Sequence, residues 1–131
     1  MDQGGRDKVI YKDLSYKIVG MLYEVYNELG YGYQEKTYEN AIAKILIENK
    51  INFKRQAPYQ VIFHGEIIGR NFIDFIIEDK MVLEIKRGNY FSRKNIEQIK
   101  KYLAVTKMKL AILVHFTSSG VKLFRAFNPN N

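Results

Sequence analysis

The stretch KLAILVHF, residues 109–116, constrains the fold more than any other part of the chain. Between Lys109 and His115 it is apolar without a break. An alternating strand needs cover on one face; a continuous apolar strand needs it on both. Such a strand belongs inside a sheet, with helices packed above and below.

The neighbouring elements can be read in order. From Asp13, expected as an N-cap, Ile18, Leu22, Val25 and Leu29 fall at helical spacing. Gly30 and Gly32 in LGYGY stop that helix. A second helix is predicted over residues 34–49, with Tyr38, Ala41, Ile42, Ile45 and Leu46 as its apolar arc. Extended segments follow. INFKRQAPYQVIFHG carries β-branched and aromatic residues, and Pro58 favours an edge or a bulge. His64-Gly65-Glu66 reads as a hairpin turn, IIGRNFIDFII as a strand, Glu78-Asp79-Lys80 as a second tight turn, and MVLEIK as the returning strand. Residues 93–106 are helical again, with Ile96, Ile99 and Leu103 inward. Thr117-Ser118-Ser119-Gly120 turns the chain from the apolar strand into a last one, VKLFRAF. The order ααβββαββ describes an α/β sandwich around a mixed sheet of about five strands, in which a three-stranded meander precedes a crossover helix.

Residues 1–12 are polar and glycine-bearing, and are expected as a flexible arm; residues 13–131 are expected as a single domain, as the length of 131 suggests. No cysteine is present, which excludes disulfides and thiolate metal sites and suits a reducing cytoplasm. No segment approaches the roughly 18 to 20 apolar residues of a membrane span. The net charge of +7 favours an anionic partner. With no strongly amphipathic basic helix, nucleic acid ranks above a membrane surface.

MVLEIK interrupts its apolar run with Glu84 and Lys86. A loop at 78–80 would place Ile77 opposite Met81, Ile76 opposite Val82, Asp74 opposite Glu84 and Phe72 opposite Lys86. Alternation then assigns Ile73, Phe75, Ile77, Met81, Leu83 and Ile85 to one face, and Asp74, Glu84 and Lys86 to the other. Two carboxylates directly opposite repel, and more so when buried. A lysine relieves part of this. A divalent cation relieves more, because Mg²⁺ is typically held by one or two carboxylates plus water and phosphate. The pattern is equally that of a solvated sheet end with Lys86 as a counter-ion. On the second helix, Glu35 falls near the middle of the apolar arc at about 100° per residue. The other reading makes it a helix-start acid complementing the dipole, with Glu39 solvated beside it. Gln98 and Tyr102, four apart, share one helix face.

Asp74 followed by Glu84-Ile85-Lys86 is similar to the PD-(D/E)XK nuclease signature, with Ile73 where the proline would stand. GYQEKTY, residues 32–38, reads GxxExxY and is preceded by NELGYG. Gln98 and Tyr102 make a Gln-x-x-x-Tyr pattern that resembles the exonuclease branch of the same superfamily. Over residues 14–127 the chain resembles the GxxExxY family of small PD-(D/E)XK nucleases. The resemblance implies a restriction-endonuclease-like core and metal-dependent hydrolysis of phosphodiester bonds, with DNA as the expected nucleic acid. It implies that Asp74, Glu84, the backbone carbonyl of Ile85 and Glu35 hold Mg²⁺ or Mn²⁺, Glu35 directly or through water. Lys86 would orient the attacking water or stabilise transition-state charge. Gln98 and Tyr102 would hydrogen-bond a phosphate or the lysine. Arg87, Arg93, Lys94, Lys100, Lys101, Lys107 and Lys109 would neutralise substrate phosphates, a solvated basic face being the other reading. Tyr38 is expected in the core, and neither His64 nor His115 is assigned chemistry. Specificity is expected from loops, a homodimer or a partner. The alternative function is a catalytically silent or partner-dependent nucleic-acid-binding module on the same fold, since a fold does not itself carry an activity.

Overall fold

The computed structural model describes residues 11–128. Its elements are α1 (Lys12–Leu29), α2 (Glu35–Glu48), β1 (Phe53–Phe63), β2 (Glu66–Ile77), β3 (Met81–Arg87), α3 (Arg93–Thr106), β4 (Leu110–Thr117) and β5 (Gly120–Phe127). The order is ααβββαββ, as read from the sequence. The five strands lie in one sheet in chain order. β3 and β4 are parallel, joined by the crossover through α3, and every other neighbouring pair is antiparallel.

β4 is buried at all eight positions, because helices cover both faces of the sheet. On one face Ile18, Leu22 and Val25 of α1 and Tyr38, Ile42 and Leu46 of α2 pack on Phe75, Leu83, Ile85, Ile112 and Val114. On the other, Ile99, Tyr102 and Leu103 of α3 pack on Val82, Ala111 and Leu113. Tyr38 is core as expected. Its ring stacks on Phe116, 4.3 Å between centroids, and its hydroxyl donates to the Gly30 carbonyl at 2.5 Å, tying the end of α1 to the start of α2.

The hairpin registers follow the turns. His64 and Gly65, with φ of 48° and 80°, form the two-residue loop between β1 and β2, a geometry with both φ positive that matches strand twist. Between β2 and β3, Ile77 pairs with Met81, Ile76 with Val82 and Phe75 with Leu83.

Three expectations need correction. The first helix begins at Lys12 with Tyr11 as its N-cap residue, and Asp13 sits in the first turn, where its charge still complements the dipole. Residues 1–10 of the expected arm lie outside the described residues, and Lys12 is already helical. Ile73 does not share a face with Phe75 and Ile77. It packs with Ala57 against α3, whereas Phe75 and Ile77 face α1 and α2. The physical reason lies at Gln56, which has φ of 47°. Arg55 pairs with Phe75 and Ala57 with Ile73, but Gln56 and Asp74, which fall between, are not a ladder pair. The alternation of both strands inverts at that level.

Candidate active site

The β2–β3 ladder ends at Phe75 and Leu83. One step further the strands separate, and their carboxylates take over from the backbone. The Asp74 N–H donates to Glu84 Oε1 at 3.1 Å, and the Ile85 N–H donates to Asp74 Oδ2 at 2.9 Å. Backbone donors released by the split are thus satisfied by the two acids themselves.

Glu84 is 2% exposed and Asp74 half-buried. Burial raises the Glu84 pKa to about 9, with the side-chain hydrogen bond and charge of Asp74 adding to the rise, and the Asp74 N–H and then Lys86 acting against it. Without another positive charge the pair therefore keeps a proton at neutral pH. Two oxygen-donor carboxylates, one of them favoured to ionise at neutral pH by a neighbouring cation, form a donor set suited to a small divalent ion. Lys86, half-buried, follows two residues after Glu84 on the same strand face.

α3 closes the site from one side. Tyr102 is 2% exposed, and its hydroxyl reaches the Phe72 carbonyl at 3.4 Å. Burial first, then the charges of Glu84, Tyr59 and Asp74, push its pKa upward, while a hydrogen bond from Gln98 works the other way. Gln98 and Tyr102 therefore meet each other and lie within electrostatic reach of the acid pair. Arg93, Lys94, Lys100 and Lys101 stand exposed on the same helix.

α2 approaches from the other face. Glu35 is exposed, and its Oε2 accepts from the Arg87 N–H at 3.2 Å, at the end of β3. Among the described residues no three Asp, Glu, His or Cys side chains form a group placed to hold a metal ion, so Glu35 does not close a three-acid cage with Asp74 and Glu84. The reading of Glu39 as a solvated neighbour is reversed: it is the buried acid of this helix, 5% exposed. Its Oε2 accepts from Arg55 Nη2 at 2.6 Å and Nε at 2.9 Å, and its Oε1 from Gln56 Nε2 at 2.9 Å. Gln56 Nε2 also donates to Asp74 Oδ1 at 3.0 Å. Glu39, Arg55 and Gln56 thus join the site, although the sequence carries no motif for them. Glu39 alone had a signal, since it lies one turn beyond Glu35 on the same helix face.

His115 lies beside Lys86 in the parallel register. Its Nδ1 meets the Gly88 carbonyl at 3.1 Å and Phe91 packs edge-on to its ring. Burial lowers its pKa and keeps the ring neutral. It anchors the loop after β3 and shows no second histidine for a metal.

A mixed sheet flanked by helices, split at an Asp–Glu pair with a lysine two residues on, defines an α/β fold of the restriction-endonuclease type. The chain belongs to the PD-(D/E)XK nuclease superfamily, whose family model matches residues 12–125. Among solved structures it is similar to that titled "Crystal structure of SSO0001", at 19% identity and a TM-score of 0.56, covering 72% of this chain and 50% of that one. It is also similar to an alkaline exonuclease, LHK-Exo, from Laribacter hongkongensis, at 18% identity and a TM-score of 0.46, covering 67% of this chain and 53% of that one. The chain thus spans about half the length of each of these structures. No curated protein matches it. No helix among the described residues is long and apolar enough to cross a membrane.

Proposed function

We propose that this chain is a nuclease of the GxxExxY type that hydrolyses phosphodiester bonds of DNA with the help of Mg²⁺ or Mn²⁺. One observation carries the reading: the strands part where Asp74 and Glu84 meet, and the Glu84 carboxyl is buried beside a second acid. A stable core has no use for that arrangement, which costs free energy unless a cation compensates it.

Asp74, Glu84 and the Ile85 carbonyl would hold the ion, with Glu35 reaching it through water. When bound, the ion would polarise the scissile phosphate and lower the pKa of a water molecule. The chain's own groups do the rest. Asp74 accepts two N–H bonds, one from Gln56 and one from Ile85, which hold its carboxylate in place. Glu84, whose proton is favoured by burial, would bind such an ion as the carboxylate. The Lys86 ammonium orients the attacking water or offsets charge on the phosphate oxygens. Gln98 and Tyr102 donate hydrogen bonds to the substrate phosphate or hold the lysine. Arg87, Arg93, Lys94 and Lys101 steer the polyanion. Two of these, Arg93 and Lys94, occupy the first turn of α3, the end of a helix where cations are least favoured. A substrate phosphate would offset that cost. The absence of cysteine suits action in the cytoplasm, and a homodimer remains one way to add specificity.

The test is cleavage of a labelled panel of single-stranded, duplex and branched DNA and the matching RNA, with Mg²⁺ or Mn²⁺. Cleavage of at least one DNA form, lost on chelation, is expected. Binding without cleavage across the panel would turn the assignment to the catalytically silent or partner-dependent module.

A further inference from the structure

Gln56 is the residue whose backbone inverts both strands beside the site, and its side-chain amide nitrogen bridges two acids. Its single amide nitrogen donates to Asp74 Oδ1 at 3.0 Å and to Glu39 Oε1 at 2.9 Å. An amide has two N–H groups, and each finds one carboxylate. The opposite orientation of the amide would face its oxygen toward both acids, so the geometry admits one assignment. Behind it, Glu39 is itself locked. Arg55 donates to its Oε2 through both Nε and Nη2, Lys36 lies 3.5 Å from the same oxygen, and Arg55 also donates to Asn40 Oδ1 at 2.6 Å.

The residue bears a backbone cost for this role. A φ of 47° is uncommon for a side chain other than glycine, asparagine or aspartate. Residues held in that region cluster where a side chain must be aimed. Here the left-handed turn points the amide between α2 and β2. Asp74 then accepts from two fixed donors, the Gln56 amide on Oδ1 and the Ile85 N–H on Oδ2. Two donors on two oxygens fix the plane of a carboxylate.

We propose that Gln56, braced by Glu39 and Arg55, is the positioning residue that presents Asp74 to a divalent cation. The proposal rests on the metal-site reading above and adds to it the chain of side chains that sets the ligand's orientation. Outer hydrogen-bond partners of this kind are worth about 10- to 100-fold in metal affinity.

The experiment is calorimetric titration of the whole chain with Mn²⁺, alongside melts in chelator. Gln56→Gly removes the amide and tolerates the positive φ. Gln56→Asn keeps an amide and tolerates the same φ, but is one methylene too short to span both acids. Each should bind Mn²⁺ about 10- to 100-fold more weakly than the wild type, with a metal-free melting temperature close to the wild-type value. Glu39→Ala should weaken binding in the same direction, because it removes the acceptor that braces Gln56. A merely structural Gln56 would move the metal-free melt and leave the Mn²⁺ affinity alone, and that result overturns the proposal. If wild type binds Mn²⁺, Asp74→Asn does not, and both Gln56 variants bind as wild type, the positioning role falls while the metal site stands. If the wild type itself binds no Mn²⁺, the site reading fails and the positioning role with it.

Discussion

Glu84 sits in the core carrying a proton it would lose in water. Its pKa is raised from 4.5 to about 9, first by burial and then by Asp74. The sign of the consequence follows from proton counting. Between those values the folded chain keeps a proton that the unfolded chain has released. The stabilisation is therefore complete at low pH and is lost as pH rises through the window, at up to about 1.4 kcal/mol per unit. Metal-free melts between pH 5 and pH 9 should fall in temperature as pH rises, and Glu84→Gln should flatten that dependence. Buried neutral His115 acts with the opposite sign and only at the acid end, below 6.5. In the proposed mechanism Lys86 would separate chemistry from binding. Lys86→Ala should then abolish cleavage, because one positioned ammonium would serve the reaction, while affinity for DNA measured by fluorescence anisotropy stays within about threefold, since many cations would share the binding. Gln98→Ala should cost less, about 1.5 to 3 kcal/mol in transition-state stabilisation, the worth of one hydrogen bond to a charged group. Full cleavage by Lys86→Ala would remove it from the mechanism.

Among the elements, α3 presents its buried face to the sheet and its cations to solvent. Replacing Lys100 and Lys101 together by glutamate should weaken DNA binding and flatten its dependence on salt, because fewer counterions are released. Affinity measured across a salt series would show it; an unchanged slope would mark this face as merely solvated. The strand hairpins were legible from the sequence, because period-two alternation and short turn residues leave little freedom in register. That logic put Asp74 across from Glu84. It failed at Gln56, since nothing in the residue type announces a left-handed backbone, and so it misplaced Ile73. The helix phase was half legible. Treating α2 as if it met the sheet along its whole length made Glu35 the inward acid. Glu35 is the first residue of the helix and lies exposed at its start, while Glu39, one turn on, takes the buried place. Periodicity reports which residues share a face, and does not report where along the helix the contact begins.

At the scale of the whole molecule the fold follows from one demand, that β4 be covered twice. α1 and α2 meet it on one face and α3 on the other. Leu113, fully buried on the α3 face, should cost about 2 to 5 kcal/mol when replaced by alanine, measured by urea denaturation. Ile47, 65% exposed on α2, should change stability by less than about 0.5 kcal/mol under the same replacement. The same packing fixes the split sheet on which the proposed chemistry depends, since β3 is held by β4 along its length and by β2 only as far as Leu83. The most direct test of the central claim is the single-turnover cleavage rate of wild type and Asp74→Asn on one DNA substrate, across a series of Mn²⁺ concentrations. Cleavage should saturate with Mn²⁺ in the wild type and fall at least about a hundredfold in Asp74→Asn at every concentration. Equal rates for the two proteins, or wild-type cleavage that persists in chelator, would contradict it.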